Sequence, residues 1–262
     1  MAGWGSSTSS PRLPHCTWLS GYYVPVVDVP DKRPDRIASM FDAIAPRYDL
    51  LNHLLTVGID RRWRARAIRS LGLTGSEVLL DVCTGTADVA LEGRTAGAAG
   101  RVVGVDFAGA MLARGREKVN RAGEGRHIAL IRGDATRLPV QCASVDAATV
   151  AFGIRNVQEP DDACAEMARA LKPGGRLAIL EFGYPRIPGI RTLYQWYFTR
   201  LLPLVGRLIS RHTGAYSYLP ASVRAFPPPE EFMATLRAAG FDDVRAVPLT
   251  FGIVYLYTAT RA

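Results

Sequence analysis

Asp81-Val82-Cys83-Thr84-Gly85-Thr86-Ala87-Asp88 closes one short apolar run, and Val105-Asp106 closes the next. In an open parallel sheet, ligands bind beyond the carboxyl ends of the strands, where a small residue lets the backbone approach them. Gly85 supplies that approach. Asp106 follows about 20 residues later, the spacing at which an acid accepts hydrogen bonds from both hydroxyls of a ribose. An adenosine-type ligand is implied. A dinucleotide needs Gly-x-Gly-x-x-Gly so that its pyrophosphate can rest on the helix start, and this loop offers Gly85 with only Ala87 beyond it. NAD is disfavoured. Taken alone, the same residues are equally compatible with a tight turn at Gly85 and a helix cap at Asp106.

Outward from this stretch, short β-rich runs alternate with helical ones. Residues 78–82, 102–105, 128–131, 145–150 and 177–180 read as strands, and 111–119 and 163–171 as the clearest helices between them. Such alternation means βαβ units, hence an α/β fold with a parallel sheet covered on both faces. Upstream, Ile37, Met40, Phe41 and Ile44 recur at helical spacing until Pro46. Leu50, Leu51, Leu54 and Leu55 suggest a short second helix stopping at Gly58, and Asp60 is placed to cap a third that carries Trp63, Ala67, Ile68 and Leu71. The last third holds an aromatic helical stretch over 190–210, broken near Pro203. A helix then runs from the prolines at 227–229 to Gly240, and strands follow near 244–247 and 253–258.

The 262 residues, 48% hydrophobic, suffice for one sizeable core. We expect 1–33 to be a poorly ordered extension and 34–262 to be the domain. The net charge of +8 is almost all arginine, since lysine occurs only at Lys32, Lys118 and Lys172. Charge dispersed in this way argues against nucleic acid. Cys16, Cys83, Cys142 and Cys164 form no C-x-x-C pair, so the expectation is a reducing, cytoplasmic setting with no structural metal. The first 30 residues, broken by Gly and Pro, do not read as a secretory signal; a disordered extension is favoured over a transit peptide.

Two further features extend the opening motif. Gly133-Asp134-Ala135 follows the third strand, placing a carboxylate where an adenine edge would lie, and Leu171-Lys172-Pro173-Gly174-Gly175 precedes the fifth. In this order the series resembles the class I S-adenosylmethionine methyltransferases. That resemblance implies a Rossmann-like, mostly parallel seven-stranded sheet with helices on both faces. It also implies S-adenosyl-L-methionine as cofactor, lined by Thr86, Asp106, Asp134, Ala135 and Ala151 beside Gly85, with Lys172 to Gly175 a structural turn. At the end of the fourth strand, Ala151-Phe152-Gly153-Ile154-Arg155-Asn156 lacks the Asp/Asn-Pro-Pro-aromatic pattern of methyltransferases acting on DNA-base amines.

More specific is the set Phe41-Asp42-x-Ile44-Ala45-x-x-Tyr48-Asp49-Leu50-Leu51-Asn52, Gly58-x-Asp60-x-x-Trp63-Arg64, and Phe152-Gly153-Ile154-Arg155-Asn156. Tyr216-Ser217-Tyr218-Leu219-Pro220-x-Ser222-Val223 and Phe251-Gly252-Ile253-Val254 complete it. From about Arg36 onward the chain resembles the C-methyltransferases of menaquinone and ubiquinone biosynthesis. It departs at Ala87, where many members carry Gly, and the added methyl is expected to narrow the cofactor loop without preventing binding.

The resemblance implies C-methylation of a lipophilic prenylated quinol. Demethylmenaquinol is preferred for Cys83 and for the lack of an organelle signal, with the ubiquinone precursor, another small acceptor or a non-catalytic scaffold as alternatives. A ring carbon becomes nucleophilic when the neighbouring phenol, of pKa about 10, ionises. Arg155 is the candidate cation for that step, with Asn156 and Tyr48 orienting the oxygen or a water. His53 and His127 read as structural or exposed, and His212 has no supporting spacing. The basic, aromatic stretch 190–210 is too charged to span a bilayer and suits a lid resting on the inner face of the membrane. A homodimer is an open expectation.

Overall fold

The computed structural model describes residues 31–197, 200 and 213–262. Three helices come first: α1 (Pro34–Ile44), α2 (Tyr48–Thr56) and α3 (Asp60–Ser70), with a single 3-10 turn, Ala45–Arg47, where Pro46 interrupts the pattern. Then β1 (Val78–Val82), α4 (Asp88–Thr95), β2 (Arg101–Asp106), α5 (Gly109–Arg121), β3 (Ile128–Arg132) and β4 (Val145–Ala151) alternate. The chain closes with α6 (Pro160–Ala170), β5 (Leu171–Phe182), α7 (Pro188–Trp196), α8 (Thr213–Ala225), α9 (Pro229–Ala238), β6 (Phe241–Leu249) and β7 (Val254–Arg261).

The sheet has seven strands in the order β3-β2-β1-β4-β5-β7-β6. β1 pairs in parallel with both β2 and β4, and β7 runs antiparallel to β5 and β6. Alternation along the strands divides the core into two layers. On β1, Leu80 and Val82 point into one layer with Met167 of α6 and Phe232 and Leu236 of α9. Leu79 points into the other, with Trp63, Ala67 and Ile68 of α3 and Ala90 of α4. Both leucines are fully buried, so truncating either to alanine should cost about 2–5 kcal/mol.

Several expectations need correction. Leu171 begins β5 rather than ending α6, and Lys172 to Gly175 lies within β5 as a bulge: Val145 faces Leu171, yet Ala147 faces Arg176. Gly174, at φ +75°, turns that bulge. Asp60 does not cap α3; it is the first helical residue, and its carboxylate binds Arg64 and Thr56 instead. Ala87 does not narrow the cofactor loop. It adopts φ +65° at the start of α4, and its methyl is buried in the core facing Gly115 of α5. The helix expected over 190–210 is described as α7 up to Trp196; the break near Pro203 lies outside the described residues, as do the tail at 1–30 and His212.

Candidate active site

Strand order reverses at β1, because β2 lies on one side of it and β4 on the other, and a crevice opens beyond their carboxyl ends. Backbone conformations that L-residues rarely adopt line it: Cys83 at φ +55° after β1 and Phe152 at φ +61° after β4. The β1 loop is pinned from below. Thr84 Oγ1 donates to Asp81 Oδ2 at 2.6 Å, and the Gly85 N–H donates to Asp106 Oδ2 at 2.8 Å. Asp106 Oδ1 accepts the Ala108 N–H at 2.9 Å, so Asp106 does tie the start of α5 as a cap would. Each of its oxygens still has a lone pair to offer a hydroxyl. Burial pushes Asp106 above the ordinary carboxylate range. Burial also pushes Asp81 up to about 7, against the hydrogen bond from Thr84.

A continuous cleft runs across these loops. At one end stand Asp106, Gly133, Asp134, Ala135 and Asn156. Asp134 Oδ1 is held by the Thr136 N–H at 2.8 Å and hydroxyl at 2.9 Å. In the middle, Gly85, Ala151 and Met111 face one another. The far end is a chamber with a cavity volume of about 130 Å³, where Thr86 and Tyr48 stand with the apolar Phe41, Ile44, Leu55, Phe152 and Phe182. All six residues expected at the cofactor therefore line one cleft. The first end fits an adenosine: two carboxylates suited to a ribose diol and an amino edge, and a buried Asn156 Oδ1 that has no partner.

Of the three residues expected to act on the acceptor, the structure parts Arg155 from Asn156, while Tyr48 lines the cleft beside each of them. Arg155 and Tyr48 line the chamber, whereas Asn156 faces the adenosine end and the middle, its Nδ2 3.4 Å from the Phe152 carbonyl. Arg155 is anchored. Its Nη1 donates to Glu181 Oε1 at 2.7 Å and to the Phe152 carbonyl at 2.5 Å, its Nε lies 3.4 Å from Ser222 Oγ, and its guanidinium sits 5.2 Å from the Phe182 ring centre. Nη2 carries no bond to the described residues. Tyr48 bonds Asn52 and packs edge-on against Phe41; burial raises its phenol.

Glu181 was not anticipated from sequence. It is fully buried at the end of β5, and its second oxygen accepts the Arg155 N–H at 3.2 Å. The only signal was an acid closing the apolar run 177–180. A polar strap was also missed. Thr86 Oγ1 donates to Asp49 Oδ1 at 2.6 Å, Lys118 reaches Asp49 at 2.9 Å and also Asp88, and Arg64 joins Asp88 at 3.0 Å to Asp60. This strap ties α2 and α3 to the loop that carries Gly85.

The model of the ubiE/COQ5 methyltransferase family matches residues 29–261. The ubiquinone/menaquinone biosynthesis C-methyltransferase UbiE of Citrifermentans bemidjiense is 46% identical over 231 residues, covering 88% of this chain and 98% of that protein. Demethylmenaquinone methyltransferase of Thermus thermophilus is 45% identical over 222 residues, covering 85% and 100%. A SAM-dependent methyltransferase of Thermotoga maritima superposes with a TM-score of 0.61 at 17% identity, covering 86% of this chain and all of that one, which shows the shared fold. The seven-stranded sheet, the cleft at its switch point and the match across almost the whole described chain lead to one conclusion: this chain belongs to the ubiE/COQ5 methyltransferase family.

Proposed function

We propose that the chain transfers a methyl group from S-adenosylmethionine to a ring carbon of a prenylated quinol, with demethylmenaquinol as the acceptor. The observation that carries this reading is the apolar chamber that adjoins the adenosine end of the cleft at Gly85 and Phe152 and holds a buried guanidinium in its wall. A flat, greasy ring with one ionisable oxygen suits that lining. The names of the relatives point to the same substrate class.

Asp106 would hold the ribose diol, Asp134 and Ala135 the adenine edge, and Thr86, Gly85 and Ala151 the loop contacts near the methionine end. When bound, S-adenosylmethionine supplies an electrophilic methyl on a sulfonium. The chain's own work is done on the acceptor. A phenolate beside the reacting carbon accepts from Arg155 Nη2, the one guanidinium nitrogen left free by Glu181, Phe152 and Ser222. Glu181 holds Arg155 in place and cancels part of its charge, so the guanidinium acts as an aimed donor more than as a long-range field. Tyr48 keeps its proton, because burial raises its phenol, and serves to position the ring. Asn156 orients the nucleoside side of the junction. The phenol proton leaves to water before transfer; afterwards the ring proton displaced by the methyl is lost and the oxygen regains a proton, which restores the aromatic quinol with net release of one proton.

The acceptor's tail points to a membrane surface. No helix among the described residues is long and apolar enough to cross a bilayer. α7 and its lead-in instead expose Ile187, Leu193 and Trp196, each at least half accessible, beside Arg191. We assign this face to the contact with lipid. Quinones extracted from cells lacking the gene test the function. Loss of the methylated quinone with accumulation of its demethyl precursor, reversed by a plasmid copy, is expected; an unchanged quinone pool would refute the reading.

A further inference from the structure

Most buried polar groups around the chamber have found one another. Thr84 is bonded to Asp81, Thr56 to Asp60, Arg64 to Asp60 and Asp88, and Arg155 to Glu181. Tyr218 has not. Its hydroxyl is shielded from water and has no hydrogen-bond partner, although it lines the same chamber. A buried hydroxyl without a protein partner is costly, and at a cleft a bound ligand can satisfy it.

The placement of Tyr218 is specific. It lies one helical turn before Ser222 on α8, so the two side chains leave the same face of the helix. Ser222, fully buried, donates to the Leu219 carbonyl at 3.0 Å and sits 3.4 Å from Arg155 Nε. Val223 and Leu219 pack with Leu55 in one apolar cluster. α8 is thereby docked on Arg155, and the Tyr218 ring is delivered to the guanidinium's side of the chamber. Arg155 and Glu181 both act electrostatically on its phenol, which burial pushes up to about 12. Such a phenol keeps its proton at neutral pH and can only donate or accept a hydrogen bond.

We propose that the Tyr218 hydroxyl donates a hydrogen bond to a ring oxygen of the acceptor, making Tyr218 an acceptor-binding residue that aligns the reacting carbon. This inference rests on the quinol reading above. It excludes Tyr218 as a base, and Tyr218 does not line the adenosine end of the cleft.

The test compares the full-length protein with Tyr218→Phe, which removes one oxygen and leaves the ring to pack. Binding of 1,4-dihydroxynaphthalene, kept reduced, and of 1-naphthol is measured by calorimetry, each with S-adenosylhomocysteine present. Wild type should bind the diol about tenfold more tightly than the mono-ol, and Tyr218→Phe should lose that preference while retaining its melting temperature and its affinity for S-adenosylhomocysteine. Methylation of the diol should show KM raised and kcat lowered, with the pH profile unmoved, since no titrating base is lost. An undiminished diol preference in Tyr218→Phe would overturn the assignment. So would a variant that melts lower and binds S-adenosylhomocysteine more weakly, because the hydroxyl would then serve the fold. Wild-type protein that binds neither naphthalene would instead refute the quinol reading itself.

Discussion

Replacing Arg155 by alanine should do two separable things. Glu181 is fully buried and is paired to Arg155 at 2.7 Å, so the substitution strands a carboxylate in the core. Breaking a buried ion pair from one side costs about 3–5 kcal/mol, and the variant should melt well below wild type. The second effect is on chemistry. If Nη2 stabilises the phenolate by the equivalent of 1–3 pKa units, its loss should slow turnover by ~10- to 1000-fold at neutral pH. The double variant Arg155→Ala, Glu181→Gln separates the two, because a neutral amide needs no counter-charge. We expect it to recover at least half of the lost stability and none of the turnover. Raising the pH toward that of the free phenol should restore part of the rate by ionising the acceptor directly. The assays are denaturant melts and anaerobic transfer of labelled methyl across a pH series. A double variant that regained wild-type turnover together with its stability would refute the reasoning and leave Arg155 as a support of the fold.

Asp106→Asn should weaken S-adenosylmethionine binding by about 10- to 100-fold in calorimetry, because charged acceptors contribute about 1.5–3 kcal/mol; equal affinity would remove Asp106 from the ribose. Asp81 sits at about 7 in the folded chain against an ordinary 3.8, so the stability it contributes is present below about pH 4 and lost as pH rises through 7. A cationic ligand prefers its charged form, so cofactor affinity should rise over the same interval with proton release, and Asp81→Asn should flatten both profiles. Removing residues 1–30 should leave the melting temperature and cofactor affinity unchanged, since that stretch has no periodic apolar pattern; a large loss of either would show that it packs on the domain.

The parallel half of the sheet was legible because its strands are short runs rich in β-branched and aliphatic residues, and all five expected strands lie within observed ones. The bulge in β5 was not, because Lys-Pro-Gly-Gly carries the chemistry of a turn whether it precedes a strand or interrupts one. α4 escaped notice: its eight residues are a weak periodic signal, and it begins at an alanine in the left-handed region. At the site, residues lining the cleft could be found because local strand-end motifs place them. Their partners could not. Glu181 is 26 residues from Arg155, and Asp49 is 37 from Thr86 and 69 from Lys118, so only the folded chain brings these charges together. A local effect parted Asn156 from Arg155: adjacent residues on a 3-10 turn point in different directions, one toward the nucleoside and one toward the acceptor.

Methylation of carbon on a reduced quinol ring is the activity proposed for this cleft. It is tested most directly by incubating the purified full-length protein anaerobically with deuteromethyl-labelled S-adenosylmethionine and demethylmenaquinol, and locating the label in the product by NMR. The account predicts a deuterated methyl on ring carbon, formed from the quinol and absent when the quinone is supplied instead. Label on oxygen, label incorporated equally from the oxidised quinone, or no transfer by a protein that binds both ligands would contradict it.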